Sequence, residues 1–187
     1  MQTQRLQGAP ERGPLRKVAY RMARKRLGRV PEPFAVTAHH TKLFGAMSGF
    51  EMALEHSKRV PIRYKALAEL RAAMVVGCEF CVDIGSMIAL RSGLSEDELK
   101  DLIDWEASER FDQLDKLVLG YSDAISRTPV DVSDELFAQL REHFDEEQMV
   151  ELTAAIAWEN WRARFNWAFG LGKEGYSEGA YCVPVVS

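Results

Sequence analysis

Cysteine is scarce in this sequence and unevenly placed: of 187 residues only Cys78, Cys81 and Cys182 carry a thiol. So few, and an odd number, do not make the disulfide framework of a small secreted domain. They also fall short of a structural zinc site, which wants four ligands. The four histidines are scattered, and His39 and His40 are neighbours that point to different faces. No metal and no cofactor is therefore expected. Long apolar runs are missing too. No stretch of eighteen apolar residues occurs, so no membrane-spanning helix is expected. The N-terminus lacks the apolar stretch and small-residue cleavage site of a secretory signal, and the expected address is cytoplasmic. Runs of β-branched residues with two-residue alternation are absent, which argues against a sheet. There is no glycine-rich phosphate loop and no Ser/His/Asp signature.

What is present is ordinary for a water-soluble globular protein: 47% hydrophobic and 28% charged residues. The length suits one domain with a sizeable core. The net charge of −4 hides an asymmetry. Residues 1–30 hold nine Lys/Arg against a single acid, Glu11, so that segment carries +8 and the remainder −12. A basic arm on an acidic body can bind anions, its own body or a neighbouring subunit.

Apolar spacing predicts about seven or eight helices and an all-α fold. Residues 1–13, with Gly8, Pro10 and Gly13, read as a loose tail. Residues 14–187 read as one helical domain that opens with a basic amphipathic helix over 14–28. Pro31 and Pro33 make a stiff connector in which helix is not expected. Helices then follow over roughly 34–56, 62–76 and 78–91. A short one starts at the Ser95/Glu98 capping box, and another covers 111–126. Ser133 caps the next, and Asp145 with Gln148 caps the longest, which stops at Gly170. Residues 170–187 are expected to wrap the surface as an irregular tail.

The chemical signal is Gly77-Cys78-Glu79-Phe80-Cys81-Val82-Asp83-Ile84. It lies between an apolar helix and the start of another. A thiolate is the reactive form of cysteine, and the free N–H groups and positive end of a helix N-terminus favour it. A spacing of three puts Cys78 and Cys81 on one face. One sulfur, oxidised to a sulfenic acid, can then be captured by the other. The bland alternative is a pair of small buried residues at a helix start.

The stretch Leu67-Ala-Glu69-Leu70-Arg-Ala-Ala-Met-Val-Val-Gly77-Cys78-Glu-Phe-Cys81-Val-Asp83-Ile84, with Ser92-Gly93-Leu94-Ser95 after it, resembles the carboxymuconolactone decarboxylase superfamily, and its alkylhydroperoxidase D-like group in particular. The resemblance is strongest over about 62–100. It extends more loosely to the connector at 28–33 and to Arg164–Gly170. It implies an all-α fold, self-association as a trimer or hexamer, and a thiol peroxidase or disulfide reductase activity. The substrate it implies is a hydroperoxide, and the reductant a dithiol such as a lipoylated or thioredoxin-like protein.

Two family positions depart from the pattern. The relay glutamate twelve residues before the first cysteine is Ala66 here, and the relay histidine four residues after the second is Gly85. Glu69, about one helical turn from Ala66, is the candidate stand-in. Asp83 lies on a different face from Gly85 and substitutes poorly. The departures keep two other readings open: a non-redox lactone decarboxylase-like enzyme, and a non-enzymatic redox-sensing or assembly protein.

Other residues take plainer readings. Cys182 reads as a structural or incidental thiol. His39 and His40 read as surface or structural residues, and His56 and His143 as cations near helix ends. The aromatic series Trp158, Trp161, Phe165 and Phe169 is expected in the core and in subunit contacts. The basic helix is expected to dock on a neighbouring subunit or on the acidic body rather than on nucleic acid or a membrane.

Overall fold

A computed structural model describes residues 3–178 and 181. Among the described residues the chain is helical throughout and has no strand. The elements are α1 (Pro14–Leu27), α2 (Glu32–Thr37), α3 (Thr41–His56), α4 (Ile62–Val76), α5 (Glu79–Arg91), α6 (Glu96–Asp101) with a 3-10 turn at Leu102–Asp104, α7 (Gln113–Ser126), α8 (Asp134–Arg141) and α9 (Glu146–Phe169). Among the described residues nine α-helices stand where seven or eight were expected. No helix of the described residues is long and apolar enough to cross a membrane.

The extra helix comes from the stretch read as one helix over 34–56. The connector prolines do not exclude helix: α2 begins at Glu32 with a proline in its first turn, where a missing N–H costs nothing. The chain then breaks at His39 and His40. His40 caps α3, its ring nitrogen accepting from Leu43 N–H. The capping boxes at Ser95/Glu98 and Asp145/Gln148 form as their sequences predict, and a third appears at Asp112/Asp115.

Helix α4 is the axis of the molecule. It packs against α5, α7 and α9, and from Lys65 to Met74 every residue except Glu69 is buried. One side joins α5, Leu99, Leu102 and Trp105 in a first core cluster; the other joins Val118, Leu140, Leu152 and Ile156 from α7, α8 and α9 in a second. Lys65 and Arg71 of this central helix are buried because each has a partner. Lys65 bonds Glu151 at 2.6 Å, and Arg71 holds both carboxylate oxygens of Asp123. Glu151 also accepts from Ser57, Arg59 N–H and Val60 N–H, which pins the α3–α4 turn to α9. Helices α4 and α9 run in the same direction: Lys65 meets Glu151, Glu69 meets Arg162, and Gly77 meets Trp167.

The N-terminal segment departs from a loose tail over its described part. Arg5 N–H bonds Phe169 O, Gly8 N–H bonds Glu32, and Ala9 N–H bonds Ala35 O. In α1 the residue turned inward is Tyr20, packed on Phe34 and bonded to Ala9 O. Leu15, Val18 and Met22 on the same helix are exposed in the single chain.

The aromatic series on α9 is a ladder rather than a core. Trp158, Trp161 and Phe165 stack at 4.8 and 4.9 Å, and Phe169 follows at 4.8 Å. With Val36, Met47 and Phe50 it lines an apolar groove of about 500 Å³ between α2, α3 and α9. Trp161 is exposed and the other three rings are half-buried, since α3 packs only lightly on α9.

Candidate functional site

The thiol pair is built by two helix ends in succession. Helix α4 stops at Gly77, whose left-handed backbone (φ 76°) reverses the chain. Cys78 follows in extended conformation and takes the N-cap position of α5, where its sulfur accepts the Cys81 N–H at 3.2 Å. This is the place a serine or aspartate oxygen usually fills. Cys81 falls in the first turn of the same helix. The two Cα atoms are 5.3 Å apart and the sulfurs are joined as a disulfide. Both residues are buried, at 2% and 5% exposure.

A distant helix covers the sulfurs. Asn166 of α9, itself 2% exposed, aims its amide nitrogen at both: 3.5 Å from Cys78 Sγ and 3.3 Å from Cys81 Sγ. The next residue, Trp167, lies over the chain reversal, and its indole N–H donates to Val76 O and Gly77 O at 3.1 Å each. The described part of the C-terminal segment packs on α5, with Tyr176 edge-on to Phe80 at 5.9 Å.

Asp83 anchors that tail. Its carboxylate is 1% exposed and accepts four hydrogen bonds, from the N–H groups of Glu174, Tyr176 and Ser177 and from the Ser177 hydroxyl. Burial works against the charge, but the bonds from Ser177, Tyr176 and Glu174 outweigh it and hold the carboxyl below its ordinary range.

The relay positions are occupied by packing. Ala66 is in the core. A Cβ at Gly85 would sit 3.1 Å from Leu70 Cδ1, so a side chain there needs the end of Leu70 to give by a few tenths of an ångström. The structure does not bring Glu69 to the sulfurs. Its carboxylate turns to Arg162 on α9, at 3.2 Å. The same guanidinium bonds Glu159 at 2.8 Å and Glu51 at 2.9 Å. Three carboxylates thus share one arginine. Burial raises Glu69 above its usual value, against the pull of Arg162. Burial likewise pushes Glu159 up to about 7. Glu159 is 5% exposed, and among the described residues its Oε1 has no hydrogen-bond partner.

None of the four histidines joins the sulfurs through a hydrogen bond. His39 bonds Gln7 O, His56 bonds Met52 O, and His40 serves as a cap. No group of three or more His, Cys, Asp or Glu that could hold a metal occurs among the described residues. Cys182 lies outside the described residues.

Sequence reasoning missed Asn166, Trp167, Arg162 and Glu159. A signal existed: Glu159, Arg162 and Asn166 recur at spacings of three and four along the helix that carries the aromatic series. That marks a polar stripe aimed at something buried.

The profile of the carboxymuconolactone decarboxylase family matches residues 41–115. The uncharacterized protein YnjA of Escherichia coli is 39% identical over 155 residues, which is 81% of this chain and 84% of YnjA. Among solved structures, a protein of unknown function from Agrobacterium tumefaciens, grouped with the antioxidant defence protein AhpD, is 28% identical. It superposes with a TM-score of 0.69 over 73% of this chain and 94% of its own. The debrominase Bmp8, in complex with 2,3,4-tribromopyrrole, shares the fold at 22% identity, with a TM-score of 0.81 over 94% of this chain and 95% of its own. The helix-start dithiol, the all-helical architecture and this similarity over most of both chains agree: the protein belongs to the carboxymuconolactone decarboxylase family, within the alkylhydroperoxidase D superfamily.

Proposed function

We propose that this protein is a thiol-dependent peroxidase or disulfide oxidoreductase. The observation that carries the reading is the Cys78–Cys81 disulfide at the N-terminus of α5. In the reduced protein one thiolate attacks a peroxide oxygen. The O–O bond breaks, the sulfur becomes a sulfenic acid, and the leaving alkoxide is protonated to the alcohol. The second thiol attacks that sulfur, water departs and the disulfide forms. An external dithiol, such as a lipoylated or thioredoxin-like protein, then gives up two electrons and two protons and is itself oxidised to a disulfide.

Glu69 enters this reading as a proton reservoir shared with Glu159, not as a group touching sulfur. The reading includes self-association as a trimer or hexamer. The exposed Leu43, Phe50 and Trp161 supply apolar surface for it. A redox-neutral lactone decarboxylation would leave the dithiol without a task.

A second substrate class is supported by the architecture shared with the debrominase. The same two electrons can reduce a carbon–bromine bond, with bromide leaving, a proton replacing it on carbon, and the dithiol closing to the disulfide.

The test is a timed thiol map. The reduced protein is mixed with equimolar organic hydroperoxide, quenched with an alkylating reagent and read by peptide mass spectrometry. The expected result is rapid loss of alkylation at Cys78 and Cys81 together. Thiols that stay alkylatable as long as those of an unfolded control overturn the peroxidase reading. Closure with bromopyrrole but not with hydroperoxide selects the dehalogenase reading. Closure that changes oligomer size without turnover selects a sensor.

A further inference from the structure

The site lacks titratable side chains at both relay positions, yet one uncharged side chain touches both sulfurs. Asn166 is carried on the longest helix, 88 residues from Cys78 in sequence. Its backbone is fixed by α9 and by the reversal at Gly170, where Leu171 N–H returns to Asn166 O. Its amide nitrogen has two hydrogens and lies 3.5 and 3.3 Å from the two sulfurs. An amide N–H is a donor that carries no charge and does not titrate. Buried against sulfur, it favours the thiolate over the neutral thiol, because hydrogen bonding to a charged form stabilises that form.

The two cysteines are not equivalent under this arrangement. Cys78 Sγ accepts from Asn166 and also from the Cys81 N–H at the helix start. Cys81 Sγ accepts from Asn166.

The charged groups on the surrounding elements are committed elsewhere. Asp83 on α5 holds the tail, and Glu69 of α4 and Glu159 of α9 are bound by Arg162. Lys65 and Arg71 of α4 are paired with Glu151 and Asp123. Glu174 of the tail accepts from Glu32 N–H. Glu79 of α5 makes no hydrogen bond to either sulfur; its Oε2 lies 3.4 Å from where a Cβ on Gly172 would stand. Among the described residues no charged side chain hydrogen-bonds a sulfur.

We propose that Asn166 is a catalytic residue of the dithiol, polarising both sulfurs and, together with the Cys81 N–H, holding Cys78 as the more acidic thiol. The proposal rests on the redox reading above. It supplies by hydrogen bonding the activation that a relay base supplies by proton removal. The Cys78 proton is released to solvent when the thiolate forms, and no co-reactant is needed for that step. Because the donor stabilises the reduced, ionised form, it also makes the disulfide easier to reduce.

The experiment titrates each thiol by thiolate absorbance in the full chain. In a Cys182→Ser background, Cys81→Ser isolates Cys78, and Cys78→Ser isolates Cys81. Cys78 is expected below the free-thiol value of about 8.5, and below Cys81. Adding Asn166→Asp or Asn166→Ala should raise the Cys78 value by about one pH unit or more. In the two-cysteine protein the same substitutions should shift the glutathione equilibrium about tenfold toward the disulfide. A wild-type Asn166 chain whose Cys78 titrates at or above the free value overturns the proposal without any Asn166 variant. So do folded Asn166 variants that titrate as the parent does. Should Cys78 titrate low, rise in the variants and still ignore peroxide, the peroxidase reading falls while the role of Asn166 stands.

Discussion

Asp83 and Ser177 are 94 residues apart in sequence, yet one carboxylate oxygen of Asp83 accepts both the backbone N–H and the hydroxyl of Ser177, at 2.8 and 2.7 Å. The other oxygen takes the N–H groups of Glu174 and Tyr176. The acid that follows the cysteine motif is therefore the clasp that lays the C-terminal tail over α5.

Asp83→Ala should cost about 2–4 kcal/mol, because it strands several buried donors at once. The sign with pH follows from the lowered carboxyl. Its contribution is present above the unfolded aspartate value and is lost as pH falls through the lowered folded value. Thermal melts should show Asp83→Asn less acid-sensitive than the wild type, and limited proteolysis should cut the tail of Asp83→Ala first.

Glu159 works in the opposite direction. Its carboxyl is pushed up to about 7 by burial, so the folded state holds a proton that the unfolded chain gives up near 4.5. Stability from this group is full below the unfolded value and falls as pH rises through about 7. Glu159→Gln should flatten the decline between these limits. At pH above 7 the variant should gain up to about 3 kcal/mol, reduced by the lost attraction to Arg162. Denaturant titrations across that range measure it. An unchanged slope would mean that Arg162 keeps Glu159 ionised.

Peroxide turnover should fall at least about a hundredfold in Cys78→Ser and in Cys81→Ser, since each removes one partner of the disulfide. The two should differ in what accumulates. The variant that keeps the attacking thiol stops at a sulfenic acid, which a dimedone adduct reports; the other does not react. Full activity in both would remove the dithiol from the chemistry.

Gly77→Ala tests the chain reversal that presents Cys78. The left-handed backbone disfavours any side chain by about 1–2 kcal/mol. The added Cβ would touch Trp167 at 3.8 Å, an ordinary contact, so strain rather than collision sets the cost. Urea unfolding should show that loss, and a changed rate of Cys78 alkylation would show whether the cap geometry moved with it.

Much of the fold was legible because the signals were local. The limits of α4 were marked by Pro61 and Gly77, and those of α9 by Asp145/Gln148 and Gly170. The break at His39 and His40 was not legible, because a histidine cap is a weak signal beside the small and apolar residues around it. The aromatic ladder was expected in the core and in subunit contacts; within the chain, α3 packs too lightly on α9 to bury it fully.

For the candidate site the division is sharper. By itself the sequence determined the cysteine pair, its spacing and its place at a helix start, since residues three apart on one helix have one geometry. It also showed the relay positions to be Ala66 and Gly85. Only the tertiary structure decided that Glu69 faces Arg162 instead of sulfur, that Asp83 binds the tail, and that Asn166 meets both cysteines. Each of these contacts joins segments about 90 residues apart. Their meeting depends on how α9 lies along α4 and how the tail folds back over α5, and no local spacing encodes that.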